Sequence, residues 1–137
     1  MALGLDRFRG LWRIERRIED RLAGRSGVLQ GQARFTDADT GLVYREEGVL
    51  RFAGQPDLTA RQSYLWREGA LGIEVLFADG KPFHGLPRDD AAPCAHHHCS
   101  PDDYVGRYDF SAWPEWRVEW HVSGPRKDYT MRTRYSR

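Results

Sequence analysis

The chain has 137 residues, a length that suits one domain with one buried core and is too short for two. Hydrophobic residues make up 40% and charged residues 30%, which excludes intrinsic disorder because enough apolar surface is present to offset the entropy of ordering the chain. The 21 lysines and arginines balance 20 aspartates and glutamates, so a net charge of +1 gives no field that would favour nucleic acid or an anionic membrane as a partner. We therefore expect a single domain over residues 1–137.

We expect no signal peptide in the N-terminal residues, because Asp6, Arg7 and Arg9 interrupt the apolar run. No stretch approaches the roughly 18 consecutive apolar residues of a membrane-spanning helix. We expect a cytoplasmic protein, in which Cys94 and Cys99 are free thiols or metal ligands rather than a structural disulfide.

Short runs in which apolar and polar residues alternate predict half-buried antiparallel strands along most of the chain. The first run, residues 10–20, places Arg16 on the same face as Trp12, Ile14 and Ile18. The second run follows residues 24–27, the third covers residues 42–52, the fourth covers 58–66 and the fifth covers 71–77. The Asp79-Gly80 pair predicts a tight type I′ turn into a sixth strand at residues 81–86.

The second half of the chain begins with its least regular segment, residues 87–103, which we interpret as a loop with one short strand at 95–99. Alternation resumes at Tyr104 and gives three further strands, the last of them ending near Tyr135. Residues 3–8 suggest a short helix that caps one end of the fold.

Eight to ten strands with short connections predict an all-β fold, a single antiparallel up-and-down β-barrel, because closure removes exposed strand edges. A two-sheet sandwich is the alternative, with residues 87–103 as the long crossover that a Greek key requires. The five tryptophans are expected mainly in the core.

The predicted inward faces carry more polar groups than a filled core would, which indicates a small-molecule site inside the barrel. These inward residues are Arg16, Tyr44, Glu46, Gln62, Tyr64, Tyr104, Tyr108 and Tyr129. Arg126 or Lys127, in the turn before the last strand, could reach over the barrel mouth and meet an anionic group of a ligand. Arg16 and Glu46 either pair with each other, face a ligand or stand at the mouth, because a buried charge is costly without a partner.

The segment Cys94-Ala95-His96-His97-His98-Cys99, with His84 upstream, contains residue types that bind zinc or iron. His96 and His98 share one face of an extended strand, and His97 and Cys99 share the other. No standard metal-binding spacing is present, so we assign no metal site and keep His84, His96, His98 and Cys99 as candidates. A nucleophilic Cys99 activated by a neighbouring histidine is a further alternative.

The chain resembles a bacterial family of unknown function with a lipocalin-like (calycin) barrel in four runs: Tyr44-x-Glu46-x-Gly48, Phe77-x-Asp79-Gly80-x-x-Phe83-His84, His97-x-Cys99-x-x-Asp102-x-Tyr104 and Gly124-Pro125-Arg126-Lys127-Asp128-Tyr129. The resemblance covers nearly the whole chain. It implies the barrel fold, and it adds His84 to the expected cavity residues beside Tyr104. Binding of a small ligand follows only from analogy with lipocalin-like barrels.

Three functions remain open from the sequence. The first is a cytoplasmic binding module for one small, partly apolar ligand. The second is a metalloprotein or enzyme that uses His84, the histidines at 96–98 and Cys99. The third is a structural protein that forms a homodimer through a sheet edge. The sequence does not identify a cofactor.

Overall fold

The computed structural model describes residues 3–137, and this part of the chain is almost entirely β-structure. One 3-10 helix, Leu5–Phe8, precedes ten strands. The strands are β1 Gly10–Asp20, β2 Arg25–Ala38, β3 Gly41–Phe52, β4 Leu58–Glu68, β5 Gly72–Phe77, β6 Pro82–Pro87, β7 Cys94–Cys99, β8 Asp102–Asp109, β9 Trp116–Gly124 and β10 Lys127–Ser136. The predicted all-β fold is confirmed.

The ten strands form one antiparallel sheet in the order β6-β5-β4-β3-β2-β1-β10-β9-β8-β7. Strands that follow one another in sequence pair with each other, except β6 and β7, which form the two edges of the sheet, and β1 also pairs with β10, Arg16 lying opposite Thr133. This long-range pairing curls the meander into a nearly closed up-and-down barrel and rules out the two-sheet sandwich. Strands β2 and β3 approach each other very closely at Gly31, because a Cβ on Gly31 would lie 2.1 Å from the carbonyl oxygen of Glu47.

The barrel has a seam between β6 and β7, which within the described residues are not joined by a backbone ladder. Aromatic side chains cover the seam instead. The ring of His97 lies 5.2 Å from that of Phe83 and 5.5 Å from that of Phe77, between ring centroids. Phe83 in turn stacks on Trp120 of β9, with ring centroids 5.1 Å apart.

One end of the barrel is filled by aromatic rings and closed by the 3-10 helix. Phe8 is fully buried, and its ring lies 5.0–5.8 Å from five others, those of Phe35, Trp66, Phe110, Trp113 and Trp116. The indole nitrogen of Trp12 donates a 2.7 Å hydrogen bond to the carbonyl oxygen of Phe8. The predicted N-terminal helix therefore caps the barrel, although it is a single 3-10 turn.

Three local predictions need correction. Residues 87–103 are more regular than expected, because the short strand around 95–99 extends to Cys94 and residues 102–103 already belong to β8. Leu71 precedes β5 and is 85% exposed rather than inward-facing. The turn at Asp79-Gly80 is not type I′: Gly80 donates to the carbonyl oxygen of Phe77 and has a φ of +88°, so only the last residue of the turn needs the left-handed region.

Candidate functional site

The barrel encloses a cavity of about 620 Å³ next to the aromatic rings that fill its closed end. This volume lies in the range of pockets that hold small organic ligands. Apolar residues of several strands, among them Leu50, Val75 and Met131, line it. Cys99 also lines the cavity and is exposed, so the cavity reaches solvent at the end opposite the 3-10 helix.

Nine of the ten residues predicted to face a ligand line this cavity: Arg16, Tyr44, Glu46, Gln62, Tyr64, His84, Tyr104, Tyr108 and Tyr129. Lys127 does not. Its ammonium group lies 3.0 Å from a carboxylate oxygen of Asp102 and 3.4 Å from the hydroxyl of Tyr104. The hydrogen bond to Asp102 raises the pKa of Lys127 above its ordinary value. Lys127 is therefore paired with Asp102 and does not line the cavity itself, although it contacts the lining residue Tyr104.

Arg16 and Glu46 form a bidentate ion pair on the cavity wall. Nη1 and Nη2 of Arg16 lie 2.7 and 2.9 Å from the two oxygens of Glu46, and Nε donates to Thr133 Oγ1 at 2.7 Å. The side chains of Arg16 and Glu46 are 14% and 7% exposed. The two buried charges therefore pair with each other, which is one of the alternatives that the sequence left open.

Two tyrosines complete the network. The hydroxyl of Tyr44 lies 2.5 Å from Glu46 Oε1 and 2.8 Å from the hydroxyl of Tyr135. The carboxylate can only accept, so the single proton of Tyr44 goes to Glu46 and Tyr135 donates to Tyr44. Glu46 thus accepts three hydrogen bonds, which satisfies a carboxylate that water does not reach freely.

The network holds both members of the pair in their charged forms. Burial opposes the charge of Arg16, but the hydrogen bonds and negative charge of Glu46 outweigh it and raise the pKa of Arg16. Burial likewise opposes ionisation of Glu46, and the hydrogen bonds and charge of Arg16, followed by the Tyr44 hydroxyl, lower its pKa below the ordinary value. Burial raises the pKa of Tyr44, which stays a neutral donor.

A second polar pair, His84 of β6 and Tyr108 of β8, joins the two sides of the seam. His84 Nε2 and the hydroxyl of Tyr108 are 2.8 Å apart. Burial, with a smaller contribution from the charge of His97, lowers the pKa of His84 to about 3, so the imidazole is neutral near pH 7. Its other nitrogen, Nδ1, is buried without a hydrogen-bond partner in the described chain.

Trp120, Thr133 and Tyr135 are among the cavity residues that were not singled out from the sequence as binding residues. Strand alternation does place Thr133 and Tyr135 on the face of Tyr129. Their polar role depends on Arg16 and Tyr44, more than 90 residues earlier. Local sequence carries no signal for that contact.

The metal-ligand candidates lie on both sides of the barrel wall. His84 and Cys99 line the cavity, whereas His96 and His98 are exposed on the outer face, where both contact Oδ1 of Asp103. The structure therefore does not bring His84, His96, His98 and Cys99 together. Within residues 3–137, no group of three or more His, Cys, Asp or Glu side chains is arranged to hold a metal ion.

These features define a class, a nearly closed antiparallel barrel with an internal cavity. The chain belongs to the family described as "Family of unknown function (DUF6314)", which matches residues 8–137. The resemblance found in the sequence to a family of unknown function with a barrel fold is thus confirmed. No curated protein matches the chain.

A solved structure shares the fold. The S-type phycobiliprotein lyase CPES from Guillardia theta is similar to this chain with a TM-score of 0.55 and 12% sequence identity, over 96% of this chain and 87% of the lyase chain. At that identity the similarity concerns the fold. Within the described residues, no helix is long and apolar enough to span a membrane.

Proposed function

We propose that this protein binds one small, partly apolar molecule inside the barrel. The observation that carries the proposal is the cavity of about 620 Å³, whose walls are mostly aromatic and aliphatic and which contains a buried, fully paired polar network. A few fixed polar groups on an apolar wall are typical of ligand pockets. The residues proposed to contact the ligand are the nine cavity-lining residues predicted from the sequence.

The buried pair of Arg16 and Glu46 fits a ligand cavity better than a filled core, for a physical reason. Burying Arg16 and Glu46 in a packed interior gains little over apolar residues of similar volume, because desolvation offsets most of their attraction. A pair on a cavity wall has a further use, since it can orient the polar part of a bound molecule. The barrel fold that this chain shares with a phycobiliprotein lyase is compatible with this use.

Titration with the neutral fluorescent probe N-phenyl-1-naphthylamine tests the proposal. A probe of about 17 non-hydrogen atoms at roughly 0.4 kcal/mol per atom would bind with a Kd on the order of 10 μM. We expect probe fluorescence to rise and to saturate at one equivalent, with quenching of tryptophan emission because Trp120 lines the cavity.

A matched pair of variants locates the probe. Ala60→Trp would place a large ring in the cavity, which Ala60 lines, and should abolish saturable binding. Leu71→Trp adds a similar ring at a position 85% exposed and should leave binding unchanged. Binding that survives in the Ala60→Trp protein, or its absence in the natural protein, would contradict the proposal.

A further inference from the structure

Two cavity-lining residues each have a buried polar atom without a hydrogen-bond partner among the described residues: Nδ1 of His84 and the indole Nε1 of Trp116. His84 Nε2 bonds to the hydroxyl of Tyr108, and Nδ1 is buried without a partner among the described residues. A buried polar atom without a partner is costly, and in a cavity wall a ligand atom can supply what is missing.

Hydrogen-bond accounting decides which form of the neutral imidazole is present. Tyr108 is buried, and Nε2 of His84 is the acceptor within reach of its hydroxyl in the described structure. If Nε2 carried the proton, the phenol proton of Tyr108 and the lone pair of Nδ1 would both lack a partner. If Tyr108 donates to Nε2, only the N–H at Nδ1 lacks one. The second arrangement costs less, so the atom without a partner in this cavity-lining residue is the N–H at Nδ1.

The buried charges of Arg16 and Glu46 on the cavity wall are already paired with each other. Two hydrogen bonds join them, and His84 is uncharged near pH 7. Arg61 contributes to the lining, but its side chain is 72% exposed and pairs with Glu47; the imidazole of His97 also lines the cavity. A ligand carboxylate beside Arg16 would meet Glu46 as well, so its desolvation would not be offset there.

We propose that the cavity selects an uncharged molecule with an apolar body and one hydrogen-bond acceptor, a carbonyl or ether oxygen or a ring nitrogen, that takes the Nδ1–H of His84. This inference rests on the proposed binding function and adds the chemical class of the ligand. It also gives His84 a role as a specificity-determining residue.

Three probes with the same ring test the inference: 2-acetonaphthone, which is neutral and has a carbonyl acceptor, 2-ethylnaphthalene, which lacks an acceptor, and 2-naphthoate, which is an anion. Each is titrated against bound N-phenyl-1-naphthylamine at pH 7. We expect 2-acetonaphthone to bind about ten-fold more tightly than 2-naphthoate and several-fold more tightly than 2-ethylnaphthalene. This comparison uses the natural protein and does not depend on the folding of any variant.

Two variants assign the acceptor contact. His84→Leu should weaken binding of 2-acetonaphthone about five-fold and leave 2-ethylnaphthalene within two-fold of its original affinity. The control is His98→Leu, which removes an imidazole from the outer face and should change neither.

The outcomes separate the two proposals. If none of the probes nor N-phenyl-1-naphthylamine binds, the proposed function itself fails. If 2-naphthoate binds as tightly as 2-acetonaphthone, the ligand-binding function stands and the preference for an uncharged molecule is overturned. If His84→Leu weakens the ketone and the hydrocarbon equally, the hydrogen bond from Nδ1 is overturned.

Discussion

The buried pair of Arg16 and Glu46 is expected to dominate the response of the barrel to substitution. Glu46→Gln preserves shape and one oxygen but leaves the guanidinium of Arg16 uncompensated inside the barrel. Removing one partner of a buried pair costs about 3–5 kcal/mol. Arg16→Met leaves Glu46 with the hydroxyl of Tyr44 alone, and we expect a loss of about 3 kcal/mol. Either loss is a large part of the roughly 5–15 kcal/mol that stabilises a typical domain.

The double variant separates pairing from packing. With Arg16→Met and Glu46→Gln combined, no charge remains unpaired at this position, and the glutamine oxygen can still accept from Tyr44. We expect a total loss of about 1–2 kcal/mol, against roughly 6 kcal/mol if the two single losses added. The coupling energy should therefore be about 4–5 kcal/mol, a strong coupling even for residues in direct contact.

Urea unfolding at pH 7, followed by tryptophan fluorescence, measures these energies through the transition midpoints at a shared m-value. The control is Glu47→Gln, one residue further along β3 on the outer face, where the pair of Glu47 and Arg61 is 59% and 72% exposed. That change should cost less than about 1 kcal/mol. Additive losses in the double variant, or equal losses in Glu46→Gln and Glu47→Gln, would refute the reasoning.

Two further predictions concern the closed end and the response to acid. Phe8→Ala removes a fully buried ring and should destabilise the protein by about 3–5 kcal/mol in urea unfolding. The control is Leu71→Ala, at a position 85% exposed, which should change stability by less than about 0.5 kcal/mol. Similar losses in the two variants would show that the 3-10 helix does not anchor the barrel. The pKa of His84 in the folded protein is about 3, below the ordinary value of 6.5, so protons bind the unfolded chain more readily than the folded protein. The stability contributed by the neutral ring is therefore complete above pH 6.5 and is lost as the pH falls toward 3. Between pH 6.5 and 4.5 the natural protein should lose roughly 2 kcal/mol more than His84→Leu, and parallel losses in urea unfolding at the two pH values would contradict the shift.

The sequence predicted the faces of the strands because a strand sends successive side chains to opposite sides whatever its partners are. Arg16 and Glu46 were therefore assigned to the interior from local alternation, together with Tyr64 and Tyr108. Lys127 was expected to reach a ligand from a turn at the barrel mouth, and it is instead the first residue of β10 and does not line the cavity. Its ion-pair partner is Asp102, 25 residues earlier, a contact that the local sequence does not indicate.

Sequence by itself thus determined an all-β chain with polar groups on its inward faces, since both follow from local periodicity. Tertiary structure alone decided that β1 pairs with β10, that the interior is a cavity and not a filled core, and that His84 meets Tyr108. Each of these depends on contacts between residues distant in the chain, among them the 117 residues that separate Arg16 from Thr133. Period-2 alternation is the same in an open sheet, a sandwich and a barrel, so only the closure of the sheet brings the inward side chains together.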